Sequence, residues 1–251
     1  ARKMLTDSLA PGSERKLILN TQDNLDLVDS LKGLFQDSST ISQQYRDGLV
    51  GKTAGFGDIY ENTLLASQAT GTALASTTYT VNGASQVGSG VIVATGATTF
   101  KKGDVITFAG CNRVHPETKA DTGVLQQFVV TTDYAGGAGT IAISPAIVTS
   151  TGRQNVSASP TNGGAVTKIG GASAIYKPSL AFHKNAFTFA TVDMEDVSQY
   201  GVWSARESYD GISMRVARQY AISTDAIPCR IDVMYGYKTL RAELAARILS
   251  N

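Results

Sequence analysis

The last third of the chain alternates like paired strands. Ile212, Met214, Val216, Tyr220 and Ile222 fall on one side of an extended backbone and Ser213, Arg215, Ala217 and Gln219 on the other, with Arg218 breaking the apolar row. After the turn formers from Ser223 to Pro228 the alternation resumes, with Cys229, Ile231, Val233 and Tyr235 set against Arg230, Asp232 and Met234. A long hairpin is predicted here.

Upstream, the pattern divides the rest of the chain. Residues 1–65 open with a helical stretch, Ala1 to Leu9, stopped by Ala10-Pro11-Gly12; Lys16 to Leu19 then reads as a short strand ending at the cap-like Asn20-Thr21. Leu27, Leu31 and Phe35 at four-residue spacing, with Val28 and Leu34 beside them, predict a helix with one core-facing stripe. Residues 66–171 are rich in Thr, Ser, Gly, Ala and Val. Their short apolar runs, Val91 to Val93, Val105 to Phe108, Phe128 to Thr131 and Ile141 to Ile143, are separated by turns such as Asn82-Gly83, Lys102-Gly103-Asp104 and Gly136-Gly137. These features predict an inserted all-β barrel or sandwich. Residues 172–251 are expected to pack back on the first part, because neither piece alone has enough apolar surface for a core.

Composition narrows the function. With 251 residues and 42% apolar content the chain can bury a large core, and 22 basic against 21 acidic side chains leave a net charge of +1. A dedicated nucleic-acid binder would carry a dominant basic face. There is no run of 18 apolar residues, so no membrane span is predicted. Cys111 and Cys229 have no C-x-x-C partner, which argues against zinc or a disulfide scaffold and predicts two buried thiols. His115 and His183 are the sole histidines; no H-E-x-x-H, G-x-S-x-G or G-K-[ST] pattern accompanies them, and the reading is no catalytic residue, no metal and no cofactor. His183 alternates out of the Leu180 and Phe182 face and is expected at a surface. Asn155-Val156-Ser157 matches a glycosylation acceptor by a pattern that is common by chance. Ser150 to Gly164 reads as a surface loop. The opening Ala1-Arg2-Lys3-Met4-Leu5, already helical and without an initiator methionine, reads as a fragment.

Several motifs share one resemblance. Ala181-Phe182-His183-Lys184, Asp210-Gly211-Ile212-Ser213-Met214-Arg215, Pro228-Cys229-Arg230-Ile231-Asp232 and Tyr235-Gly236, in this order, resemble the C-terminal region of tailed-phage coat proteins of the P22 type. Tyr45-Arg46-Asp47-Gly48 with Gly55-Phe56 is similar to the stretch by which that family leaves its first helical layer, and Lys101 to Gly110 (KKGDVITFAG) is similar to a strand of its insertion domain. The resemblance implies an α+β chain, the C-terminal portion of an HK97-like capsid fold carrying the inserted barrel. It implies a non-enzymatic major capsid subunit, located in the virion capsid and assembled in the bacterial host cytoplasm. The implied partners are other copies of the chain in pentamers and hexamers, a scaffolding protein, a portal, and packaged DNA by non-specific contact only. Arg113, His115, Glu117 and Lys119 would then lie in a loop that makes contacts within a capsomer. Arg215, Arg218, Arg230 and Asp232 would pair either with each other or with an adjacent subunit. Ser85 to Thr99 is short and nearly uncharged where that family carries a long charged loop, which puts any clasp across the two-fold axis in doubt. The competing reading is a stand-alone β-rich recognition module of a phage tail or cell surface.

Overall fold

A computed structural model describes residues 1–31, 55–94 and 96–250. Phe35 and the Tyr45 to Gly48 motif lie outside the described residues. Chain order begins with helix α1 (Arg2–Asp7), strand β1 (Arg15–Leu19), helix α2 (Thr21–Leu31), β2 (Asp58–Glu61) and β3 (Gln68–Ala69). Next come β4 (Ser76–Thr80), β5 (Gly88–Val93), β6 (Val105–Phe108), β7 (Asn112–Val114), β8 (Asp121–Leu125), β9 (Phe128–Val130), β10 (Gly139–Ile147) and β11 (Ala165–Ile169). Then follow β12 (Ile175–His183), β13 (Phe187–Thr191), β14 (Trp203–Tyr209), β15 (Ile212–Arg218), β16 (Cys229–Val233), β17 (Tyr235–Thr239) and β18 (Ala245–Ser250). Strand is the main regular structure of the described residues, and helix is confined to α1, α2 and three short 3-10 turns.

Two compact units result, residues 1–183 with 244–251, and residues 184–243. β12 and β18 join β1 and β2 in the first unit, while the segment between them folds on itself.

In the first unit, β18, β12, β1 and β2 lie side by side; β1 is antiparallel to β12 and parallel to β2, and β3 adds to the end of β12. Arg15 anchors the start. Its guanidinium is buried and donates to Pro11 O at 2.7 Å, Ala10 O at 2.6 Å and Thr6 Oγ1 at 3.1 Å, so the α1 terminus and the following turn are held against β1. The predicted cap of α2 forms as well, the Asp23 N–H donating to Asn20 Oδ1 at 2.8 Å. Ser179, Ala181 and His183 are the buried positions of β12, and the expectation of a surface His183 is thereby corrected. β12 is a central strand, hydrogen-bonded on both edges, and the side carrying small residues is the one covered: Ser179 Oγ meets Asp23 at the start of α2.

The inserted module is a six-stranded sheet in the order β4-β11-β6-β9-β10-β5. Its two outer strands also meet: Val81 bridges Val93, the Asn82 N–H donates to Ile92 O at 2.9 Å and the Ala94 N–H to Thr80 O at 2.8 Å. Inside are Tyr79, Phe100, Ile106, Phe108, Phe128 and Ile141, all essentially without solvent contact. The Tyr79 ring packs with Phe100 and Tyr134, and Gly96 lies so close that a Cβ there would fall 2.4 Å from the ring. Only glycine fits that position. The expected surface loop from Ser150 is partly tied down: the Asn155 side chain accepts from the Val148 N–H and donates to Ala146 O, and Val156 is buried.

The second unit contains the pair β13-β17 and the three-stranded sheet β14-β15-β16. The predicted hairpin is β15-β16. Its strand ends at Arg218, so Tyr220 and Ile222 belong to the connecting turn.

Candidate functional site

Register sorts the side chains of the three-stranded sheet. Directly opposed residues share a face, so one face holds Trp203, Ala205, Tyr209, Ile212, Met214, Val216, Ile231 and Val233, together with Glu207 and Arg218. The other holds Arg206, Arg215 and Asp232 in one row and Ser204, Ala217 and Arg230 in the next. Burial inverts the usual arrangement. Ser213 is 3% exposed, whereas Ile231 is 67%, Trp203 52% and Val233 40% exposed.

The polar face is bonded mostly from within the unit, although the buried Arg215 Nε has no hydrogen-bond partner. Arg215 Nη2 donates to Asp232 Oδ2 at 2.7 Å and Nη1 donates to Glu195 O at 2.8 Å, while Arg206 Nη1 donates to Met194 O at 3.0 Å. The strap from Met194 to Asp196 therefore lies over this face, and the Ser204 hydroxyl closes it on the Asp196 carboxylate. Arg230 Nε reaches Asp232 Oδ1 at 2.8 Å from a much more open position. Arg218 stands apart, its guanidinium 4.5 Å from the centre of the Trp203 ring on the opposite, open face. Of the four charged candidates here, Arg215, Arg230 and Asp232 are brought together and Arg218 is not.

The hydrogen bond from Arg215, followed by that from Arg230, holds the Asp232 carboxyl below the usual carboxylate range. A carboxylate depressed by folding contributes stability that is complete above its unfolded value and lost as pH falls through its folded one. Asp232→Asn should therefore flatten the acid-side stability loss of this unit. The chain's single tryptophan, Trp203, lies in the same sheet, so its fluorescence between about pH 7 and pH 2 checks the prediction. An unchanged acid limb would refute it.

The second candidate set lies on the β7-β8 hairpin and its loop. Arg113 and His115 line a cleft of about 460 Å³ between α1 and β8, shared with Lys3, Asp7 and Val124, and Arg113 Nη2 approaches Ser8 Oγ at 3.5 Å. His115 shapes the loop. Its Nδ1 accepts the Thr118 N–H at 3.2 Å and the Glu117 N–H at 3.3 Å, while Lys119 Nζ donates to Gln154 O at 3.3 Å. Glu117 is exposed and does not line the cleft.

Sequence reasoning missed a third constellation, where the module joins the first sheet. Lys168 is 2% exposed and donates to Ala73 O and Gly171 O at 2.9 Å and to Gly71 O at 3.0 Å. Asp104, equally buried, accepts the Lys101 N–H at 2.9 Å and the Gly71 N–H at 3.0 Å. Desolvation holds the Lys168 amine below the usual lysine range, opposed by the attraction of Asp104. The available signal was the register of β11, in which Lys168 points the same way as the core residue Val166.

Little of this supports reaction chemistry. Burial pushes the Cys111 thiol up to about 11, which leaves it protonated and unreactive at neutral pH. Cys229 is exposed, correcting the expectation of two buried thiols, because its position at the start of β16 lies on the open face. Among the described residues no group of three or more His, Cys, Asp or Glu could hold a metal ion.

The family model described as "P22 coat protein - gene protein 5" matches residues 1–248. No curated protein matches the chain. Among solved structures, one titled "CUS-3 coat protein I-domain" is 26% identical, with 41% of this chain and 98% of that chain covered and a TM-score of 0.25. The family match runs through the three candidate surfaces alike, and on its extent the chain belongs to the P22 coat protein family and is a structural protein of the phage capsid.

Proposed function

We propose that the chain builds an icosahedral shell through pentamers and hexamers of an HK97-like fold, with residues 66–171 as an inserted barrel. The observation that carries this reading is the inverted three-stranded sheet. Its charged face is partly covered by its own strap, with Arg206 and Arg230 still exposed, and its apolar face is left open. An apolar sheet face normally packs against a second layer, and in a coat protein other subunits supply such layers. The junction of β4 with β5 supports a closed barrel, since it leaves the six-stranded sheet without two free edges.

Arg113, His115, Glu117 and Lys119 are assigned to contacts within a capsomer. Arg218, on the open face, is the charged residue of its set best placed for a neighbouring subunit. The enclosed pair Arg215 and Asp232, with Arg230 beside it, acts within the subunit. A scaffolding protein, a portal and non-specific contact with packaged DNA complete the assembly, which takes place in the host cytoplasm. A stand-alone recognition module is not favoured by the family assignment.

The test is electron microscopy of the complete reading frame co-expressed with the adjacent gene as scaffold. Uniform closed shells are expected. Well-folded, dispersed monomers would overturn the proposal.

A further inference from the structure

We propose that Arg247 is a latch that sets the angle of the inserted module on the sheet carrying it, and that this latch opens without unfolding the module. The junction has two layers of polar contacts. The inner layer consists of Lys168 and Asp104, both 2% exposed, which tie together the backbone at residues 71–73, 101 and 171. All of these groups belong to the module or to its two connecting strands, so the inner layer holds the module's own base.

The outer layer is different in kind. Arg247 sits on β18, the edge strand of the first sheet. Its Nη1 donates to Gln68 Oε1 at 2.5 Å and its Nη2 to Gly103 O at 2.5 Å. Gln68 is on β3, where the chain enters the module, and Gly103 is in the turn before β6. One planar guanidinium therefore spans three pieces of backbone that are remote in sequence. A fork of fixed geometry holding two acceptors fixes an angle as well as a distance, which a lysine ammonium does not.

The acceptors are pressed together. Gly103 has a φ of +97°, which strains any other residue, and a Cβ there would fall 2.4 Å from Gln68 Nε2, so glycine lets the turn lie against the end of the Gln68 side chain. Besides Arg247, the links across the junction include the two-residue pairing of β3 with β12, the bond from the Gly171 N–H to Tyr176 Oη at 2.7 Å, that from Thr70 Oγ1 to Gly171 O at 2.9 Å, and the long contact of Arg113 Nη2 with Ser8 Oγ at 3.5 Å. The first three lie along the connecting strands themselves, where they allow rotation about the strand axis more readily than a contact from β18 does, and the fourth is at the limit of hydrogen-bond length. Residue 247 is itself exposed, so water can replace its bonds at little penalty, whereas the contacts of Lys168 and Asp104 have no such substitute. The latch stands on this geometry alone, whether or not the chain forms shells.

Amide hydrogen exchange on the whole chain tests it, with Arg247→Ala, Arg247→Lys and Lys168→Met compared to the parent. Arg247→Ala should raise exchange about tenfold or more at residues 68–69, 103 and 175–176 while leaving β6, β9 and β10 protected and the thermal midpoint unchanged. Arg247→Lys should fall between. Lys168→Met should lower protection throughout the module, separating the structural layer from the latch. Wild-type exchange at the junction of Arg247→Ala would overturn the proposal. So would a loss of protection in β6, β9 and β10 that accompanies the loss at the junction, since the contact would then be part of the module's fold.

Discussion

Asp104→Ala is expected to lower the stability of the six-stranded module by about 2–4 kcal/mol, the order of the cost of leaving buried donors without a charged acceptor. The reasons are on opposite sides of the carboxylate. On one, the N–H groups of Gly71 and Lys101 lose the acceptor that both share. On the other, the Lys168 amine remains enclosed by three carbonyl oxygens and loses the attraction of the nearby carboxylate. Asp104→Asn keeps an acceptor but not the charge, and should lose less. Pairing Asp104→Ala with Lys168→Met removes the stranded cation, so the double variant should be more stable than the sum of the two single losses predicts. Denaturant unfolding followed by exchange of the Ile106 and Phe128 amides reads the module directly. A change below about 1 kcal/mol for Asp104→Ala would mean that water satisfies the site.

Assembly should fail when a charge is placed on the open sheet face. Ile231→Glu is expected to leave the subunit folded, with stability within about 0.5 kcal/mol of the parent, because the side chain is already two-thirds exposed. In a shell the same carboxylate would be buried against a neighbour, beside Val216 and near Met214 and Val233. An anchoring residue at an interface centre is worth about 2 kcal/mol or more, and an unpaired charge there adds a desolvation penalty, so self-association should weaken about a hundredfold or more. Sedimentation of the expressed reading frame, with shell yield by microscopy, checks this; Ile231→Leu should assemble as the parent does. Normal shells from Ile231→Glu would remove this face from the interface.

How far the fold could be read from sequence depended on whether a feature is local. The strands around Val91, Val105, Phe128 and Ile141 emerged where short apolar runs predicted them, and the turn glycines at 83, 103, 136 and 137 have the positive φ that such turns require. Alternation also located β15 and β16. It could not say which face would be covered, because a period of two marks two sides and leaves their environments open. The covering strap comes from residues 194–196, and its backbone carbonyls, invisible to any pattern of side chains, receive the arginines. His183 was misplaced for a related reason: a central strand can bury a face of small and polar residues when a helix start lies against it. The junction of Asp104, Lys168 and Arg247 was out of reach, since its members come from parts of the chain joined only by the finished topology.

The pairing of β3 with β12, Ala69 beside Ile175 and Gln68 beside Tyr176, places the chain's departure into the module and its return on adjacent strands. Neighbouring strands lie about 5 Å apart. To the sheet, everything between residues 70 and 174 is thus equivalent to a tight turn, and its size is free to vary. The pairing defines a graft point: a foreign domain whose own termini lie side by side can replace residues 70–174 without redirecting β12. Cargo displayed on a capsid could enter the chain at this position.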